Sequence, residues 1–212
     1  MAVSLATARL VLRPFTAADA DLLVELDSDP AVMRYLTGGK PTPRTMIARE
    51  VLPRFIRSTA RGNGFGTWAA SAKASGDFVG WFGFQPAGGD CPGVAHLGYR
   101  LRRAAWGQGL ATEGARALIH LGFTALGVER VLATTYQDNL ASRRVMEKAG
   151  LRLVRRFRLT PAELAAAGTF AVDGAELWDG DDVEYALDRA DWVRQEAERQ
   201  GASDGADERD GG

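Results

Sequence analysis

A glycine-rich junction constrains the fold of this chain more than any other segment. Residues 106–111 read Trp-Gly-Gln-Gly-Leu-Ala and lie between a strand-like run at 94–101 and a helical pattern that reaches about Leu126. A tight strand-to-helix turn gathers free main-chain N–H groups at a helix N-terminus, where the helix dipole also attracts anions. The junction therefore predicts an α/β fold in which this turn either binds a pyrophosphate or binds nothing.

Two common nucleotide-binding motifs fit the junction poorly. A Rossmann fingerprint needs a third small residue where Thr112 stands, and an acidic residue about 20 positions later, beside a second strand. Arg130 and Val131 occupy that region. A Walker A loop needs Gly-Lys-Ser/Thr, which the junction lacks. The sequence therefore disfavours NAD and ATP as ligands.

Alternating and helical patterns give the order of the elements. Strands are predicted at 9–15, 66–71, 77–84, 94–101, 130–136, 151–159 and 183–187. Helices are predicted from Thr16 to before Pro30, at 45–59 with a kink or a split at Pro53, after the junction, and at 139–149, 160–168 and 188–200. We expect one domain over residues 1–192. Residues 193–212 should be a helix end and a disordered tail rich in Gly, Asp and Glu.

Composition argues against several classes of protein. The 26 basic and 27 acidic side chains leave a net charge of −1, so no general attraction to nucleic acid or an anionic membrane is expected. No apolar run approaches the roughly 18 residues of a membrane span. The single cysteine, Cys91, forms no internal disulfide, and it lacks metal-ligand spacing with His96 and His120. We therefore expect a cytoplasmic protein without a metal, a membrane or a nucleic-acid partner.

Six short segments occur in the order and spacing of a known family. They are residues 7–14, 29–33, 97–99, 106–113, 139–142 and 147–151. Through them the chain resembles the GNAT superfamily of N-acetyltransferases, and within it the RimJ/RimL-type group, over about residues 5–192. The family's loop usually begins with Arg or Gln, whereas Trp106 stands here, as it often does in that group. The resemblance implies acetyl-CoA as co-substrate. It also implies a single-domain, mainly antiparallel α/β sheet with a splayed parallel strand pair.

The resemblance also implies roles for individual residues. Main-chain groups of Tyr99, Arg100 and Leu101 would hold the pantetheine arm and the acetyl carbonyl. The pyrophosphate would be held by the junction, at Trp106, Gly107, Gln108, Gly109, Leu110, Ala111 and Thr112. Asn139 would contact the pantetheine arm, while also serving as an N-cap. Ser142 would donate a proton to the departing thiolate.

Two further side chains are candidates for proton transfer. His96 lies near where many relatives carry a basic glutamate, and an imidazole titrates in the right range. The alternative is a histidine that only packs on the sheet face. Tyr136, at a strand end, is a second candidate acid, and its alternative is a core or rim aromatic.

The predicted function is transfer of an acetyl group from acetyl-CoA to a primary amine, by direct attack in a ternary complex. A protein N-terminal α-amine is the first acceptor considered, and a small molecule such as a polyamine, amino acid or antibiotic is the alternative. A non-catalytic acyl-CoA sensor is the alternative of another class. A shallow open groove would favour a peptide, and a closed acidic pocket a small cation. The first two helices should cover the acceptor entrance, and a homodimer is a further expectation.

Overall fold

The computed structural model describes residues 4–87, 93–158 and 180–207. Within this part of the chain, eight strands form one mixed sheet in the order β1-β2-β3-β4-β5-β6-β8-β7. Their bounds are β1 (Leu5–Ala6), β2 (Leu10–Pro14), β3 (Gly66–Ala72), β4 (Phe78–Pro86), β5 (Val94–Leu101), β6 (Arg130–Tyr136), β7 (Arg152–Phe157) and β8 (Asp182–Asp188). All neighbours are antiparallel except β5 and β6. This confirms the predicted α/β fold class.

Helices lie on both faces of the sheet. They are α1 (Ala20–Ser28), α2 (Pro30–Thr37), α3 (Arg44–Met46), α4 (Leu52–Ala60), α5 (Leu110–Ala125), α6 (Leu140–Lys148) and α7 (Arg189–Asp207). The larger core joins α5 and α6 to one face, where Phe82, Phe84 and Phe123 are buried. A second core joins α1 and α4 to the opposite face of β2–β4 around Phe55 and Trp81. Burial of such side chains on both faces is the main driving force that fixes these strands.

The parallel pair separates after a short contact. Val94, Ala95 and His96 are in register with residues 130–132, and β5 then continues to Leu101 without a partner on that side. Beyond Leu132, β6 pairs only with β8. This opening, called the split here, is the splayed strand pair that the sequence resemblance implies.

Two glycines let α5 lie close to the sheet beside the split. A Cβ atom at Gly114 would stand 2.3 Å from Phe82 Cζ, and one at Gly122 would stand 2.6 Å from Phe84 Cζ. Both distances are far inside van der Waals contact, so only glycine fits without a shift of the aromatic rings. The close packing fixes where the N-terminus of α5 meets the end of β5.

Helix α2 was not among the predicted elements. Asp29 caps it by accepting a hydrogen bond from the Ala31 N–H, and Pro30 occupies its first turn. Gly38 ends it in the left-handed conformation, with φ of 66°. These are strong start and stop signals. A helix of this length shows too few apolar repeats for periodicity to reveal it.

The predicted helix at 45–59 is present in altered form. It begins as α3, continues through a π-helical segment at Ile47–Val51, and resumes as α4. Pro53 has no N–H to donate, so the ladder of hydrogen bonds is rearranged in the turn before it. The predicted kink is therefore a local change of helix type.

The C-terminal helix is longer than predicted. It continues through Gln200 to Asp207, into the segment expected to be disordered. Adding residues to an existing helix gains a hydrogen bond for each residue fixed, without the cost of nucleation. The predicted helix at 160–168 and the loop around Cys91 lie outside the described residues.

Candidate active site

The loop before α5 has the geometry expected of an anion-binding turn. Gly107 and Gly109 both have positive φ, 73° and 77°, which side chains of L-residues rarely adopt. A Cβ atom at Gly107 would meet nothing within 4 Å, so this turn presents open main chain to solvent. Gly109 is the N-cap of α5 and supplies no side-chain hydrogen bond. The first-turn N–H groups of α5 have no intrahelical acceptors and are available to a ligand.

Side chains within the junction stabilise its shape. The indole Nε1 of Trp106 donates to the Leu101 carbonyl at 2.9 Å, and the Gln108 amide donates to the Ala104 carbonyl at 2.7 Å. Trp106 thus ties the loop back to the end of β5. An Arg or Gln side chain has a different length and shape, so this hydrogen bond between the loop and the end of β5 is specific to the tryptophan.

A tyrosine and a serine meet across the split. The Tyr99 hydroxyl lies 3.1 Å from Ser142 Oγ and donates to the Ser142 carbonyl at the same distance. Tyr99 comes from β5 and Ser142 from the first turn of α6. Burial raises the pKa of the Tyr99 phenol, although the hydrogen bond with Ser142 opposes the change. The phenol therefore stays protonated at neutral pH.

Asn139 positions the helix that carries Ser142. Its Oδ1 accepts from the Ser142 N–H at 3.2 Å, and its Nδ2 donates to Thr135 Oγ1 at 3.1 Å. The cap predicted from the sequence is therefore present, and it couples α6 to the end of β6. Loss of an N-cap costs about 1 kcal/mol, which is enough to loosen the placement of Ser142.

Comparison with known proteins agrees with this geometry. Residues 9–152 match the family described as "Acetyltransferase (GNAT) domain". The chain belongs to the GNAT family. It is 31% identical over 203 residues to the "FsC-acetyl coenzyme A-N(2)-transacetylase" of Aspergillus fumigatus, which covers 91% of this chain and 79% of that protein. It is therefore an acetyl-CoA-dependent N-acetyltransferase, with acetyl-CoA as co-substrate.

Solved structures share the fold of this GNAT chain. A GNAT-family acetyltransferase from Bacillus anthracis has a TM-score of 0.71 at 24% identity, covering 89% of this chain and 99% of that one. RimL, a ribosomal L7/L12 alpha-N-protein acetyltransferase whose structure contains coenzyme A, has a TM-score of 0.67 at 17% identity. The superposition covers 88% of this chain and 98% of the RimL chain. The RimJ/RimL-type resemblance is thus matched at the level of the fold.

His96 lies on the other face of the GNAT sheet from Tyr99. Side chains alternate along β5, and Leu97, Tyr99 and Leu101 join the larger core. The His96 Nε2 instead lies 3.2 Å from Thr134 Oγ1 on β6. Burial lowers the pKa of His96, while the charge of Glu184 acts in the opposite direction. The imidazole is therefore neutral at pH 7 and suited to accept a proton.

The remaining predicted residues are divided between the two faces. Tyr136 follows Thr134 by two positions on β6, so it lies on the His96 face and away from Ser142. The Arg100 side chain also leaves the split, and its Nη1 reaches Asp27 Oδ1 at 2.5 Å. The main chains of Arg100 and Leu101 lie in the part of β5 that is not paired with β6, and their contact with the cofactor stays a prediction.

Several contacts at this site escaped the sequence analysis. These contacts join residues that are far apart in the chain: Tyr99 with Ser142, His96 with Thr134, and Arg9 with Glu113. For the last pair, the sequence offers one indication: Arg9 and Glu113 each lie in a family motif, at 7–14 and 106–113. Among the described residues, no group of three or more His, Cys, Asp or Glu side chains could hold a metal ion. No helix in the described ranges is long and apolar enough to cross a membrane.

Proposed function

We propose that this GNAT enzyme acetylates the N-terminal α-amine of a protein by direct attack in a ternary complex. The observation that carries the proposal is the division of polar groups by the split. The Tyr99–Ser142 pair lies on the α6 side, and His96 lies on the opposite face. A thioester threaded through the split would be open to an amine on one face while its sulfur approaches proton donors on the other.

The reaction follows from this arrangement. His96 takes a proton from the ammonium, directly or through water, because the reacting amine must be neutral. The amine nitrogen then bonds to the thioester carbon. The resulting oxyanion is stabilised by main-chain N–H groups that β5 leaves unpaired after His96. The C–S bond breaks, the departing thiolate takes its proton from the Tyr99–Ser142 pair, and the proton that the new amide nitrogen still carries in excess returns to that pair through water.

The loop and α6 would position the donor. The first turn of α5 and the loop at 106–112 hold the pyrophosphate, where no side-chain cap competes for the N–H groups. Asn139 contacts the pantetheine arm at the mouth of α6. Fixing the thioester in this way removes much of the entropic barrier to the bimolecular step.

The open face of β6 and β8 supports an extended acceptor. Thr134 is exposed beside the half-buried His96, and Glu184 stands directly opposite Thr134 on β8. On the other side of the entrance, the Tyr35 hydroxyl of α2 donates to the Asp138 carbonyl at 3.0 Å. The entrance thus has one wall of helix and one of exposed sheet, as a polypeptide terminus requires.

A small-molecule amine is the second candidate acceptor. It is favoured by the relative from Aspergillus fumigatus, whose name describes an N(2)-transacetylase of FsC and which is more similar in sequence than RimL. Glu184 near the entrance is already paired with Arg155, so its charge does not favour either acceptor over the other. The two candidates share the donor chemistry and differ only in the acceptor.

Release of coenzyme A thiol tests the proposal. The protein is incubated with acetyl-CoA and one of three acceptor sets: peptides with free N-termini, the same peptides with blocked N-termini and internal lysines, and small amines. We expect thiol release with the free peptides only, with mass spectrometry placing the acetyl group on the α-nitrogen. Release with polyamines, amino acids or aminoglycosides alone would replace the proposal with the second candidate.

A further inference from the structure

A carboxylate occupies the helix turn that receives the diphosphate. Glu113 is in the first turn of α5 and directly follows the loop residues 106–112. Glutamate normally stabilises a helix N-terminus, but here the same turn must also attract a ligand with two or more negative charges. Like charges in one turn repel each other, so the position of Glu113 needs a compensating partner.

Arg9, which lies 104 positions earlier in the sequence, is that partner. Its Nε lies 2.7 Å from Glu113 Oε2, and its main-chain N–H donates to Oε1 at the same distance. The Thr7 hydroxyl adds a third hydrogen bond to Oε1 at 2.5 Å. The side chain of Glu113 is only 17% exposed, so the carboxylate is held in one position.

The same arginine also contacts the loop. Its Nη1 donates to the Gln108 carbonyl at 2.9 Å, and its Nη2 would lie 3.6 Å from a Cβ atom at Gly109. A guanidinium on this carbonyl fixes the orientation of the Gln108–Gly109 peptide. Its side chain is 52% exposed, so the cation also faces the solvent from which the ligand arrives.

We propose that Arg9 is a positioning residue of the coenzyme A site: it cancels the charge of Glu113 and holds the loop in its ligand-binding shape. The pKa of Glu113 supports the anionic state of its carboxyl. Burial acts to raise that pKa, but the hydrogen bonds from Thr7 and Arg9 together lower it below its usual range. The inference rests on the proposed site for the donor and is independent of the identity of the acceptor.

Titration calorimetry with coenzyme A separates this role from simple support of the fold. Arg9→Gln leaves Glu113 as an uncompensated carboxylate, and we expect affinity to fall about tenfold. Glu113→Gln removes the repulsion and should bind at least as tightly as the wild type. The double variant Arg9→Gln/Glu113→Gln should recover most of the lost affinity. Because removing an unpaired carboxylate can also restore a damaged fold, affinities are compared only among variants that thermal unfolding shows to be folded.

Two controls complete the experiment. Arg189→Gln removes a comparable exposed arginine, which pairs with Glu129 at 3.0 Å in another region, and it should leave the affinity unchanged. Thermal unfolding of each variant shows whether it is folded at the titration temperature. If Arg9→Gln does not fold, Arg9→Lys, which keeps the charge but loses the planar fork that contacts the Gln108 carbonyl, should show a smaller loss of affinity, and wild-type affinity in it would remove the loop-holding part of the role.

The outcomes distinguish this inference from the proposed function. Wild-type affinity in Arg9→Gln, or a double variant as weak as Arg9→Gln, would overturn the role of Arg9 and leave acetyl transfer intact. A wild-type protein that binds no coenzyme A would overturn the proposed reaction and the role of Arg9 together. Since the pair is exposed, the loss in Arg9→Gln should also shrink as the salt concentration rises.

Discussion

The two halves of the sheet differ in what covers them. In the half formed by β2–β5, strands β3 and β4 carry apolar layers on both faces, one formed with α5 and the other around Phe55 and Trp81. Strands β6 and β8 are buried on the α6 side, but their other face carries Thr134 and Glu184. The covered half thus forms the more tightly packed part of the sheet, whereas the half beyond the split has one face on which Thr134 is exposed.

Each half also contains an ion pair, and the two pairs differ mainly in the exposure of the arginine. Arg100 and Asp27 have side chains that are 9% and 4% exposed, with Thr42 adding a hydrogen bond of 2.6 Å to the carboxylate. Arg155 and Glu184 are 59% and 15% exposed. A buried charge that loses its partner is costly, whereas an exposed one is solvated by water. The same chemistry therefore stabilises the two halves by very different amounts.

The largest effect is expected in the covered half. Asp27→Leu leaves the Arg100 guanidinium buried without a counter-charge, and we expect it to lower the free energy of unfolding by about 3–5 kcal/mol. The double variant Asp27→Leu/Arg100→Met replaces both charges with apolar groups and should be much closer to the wild type. Urea denaturation of both variants measures the difference. Equal destabilisation in the two variants would contradict the assignment.

The next effect is expected at the split and concerns rate rather than stability. If Tyr99 and Ser142 protonate the thiolate as a unit, Tyr99→Phe and Ser142→Ala should each lower kcat by about 100-fold, and the double variant should lose little more. Tyr185→Phe is the matched control, since this buried phenol bonds Arg143 and Glu147 rather than Ser142. It should alter stability while leaving kcat unchanged. Additive losses would mean independent roles.

A smaller effect is expected for His96 on the open face. Because its pKa lies below the ordinary 6.5, the neutral base persists to lower pH, and it is lost only as the pH falls through that lowered value. With saturating acceptor, kcat should therefore rise with pH through a midpoint that lies below the ordinary value of 6.5. His96→Gln should lower kcat about tenfold and abolish this acid limb. If the acid limb of the pH profile is unchanged in His96→Gln, it reports the titration of another group.

The smallest effect is expected for the pair whose arginine is exposed. Arg155→Gln should change the free energy of unfolding by less than about 1 kcal/mol, because the 59% exposed guanidinium is already largely solvated. Urea denaturation beside the Asp27 variants gives the comparison directly. A cost as large as that of Asp27→Leu would show that the outer half of the sheet is not a solvated surface.

Local patterns in the sequence predicted much of the fold. Most strand and helix positions follow from repeats of two or of three to four residues, and the N-cap at Asn139 and the change at Pro53 follow from single residues. The glycines at 107 and 109 were identified as a turn because their positive φ is a property of the residue type. These features depend on neighbours within one turn, so the linear sequence contains the information.

Other features exist only because the sheet brings distant residues together. The insertion of β8 between β6 and β7, and the separation of β5 from β6 after His96, are decided by strand order and register. They place Ser142 against Tyr99, 43 positions earlier, and Glu113 against Arg9, 104 positions earlier. By itself the sequence determined the elements, the loop and the family resemblance. The tertiary structure decided which side chains meet, because contacts across a sheet depend on packing of the whole chain.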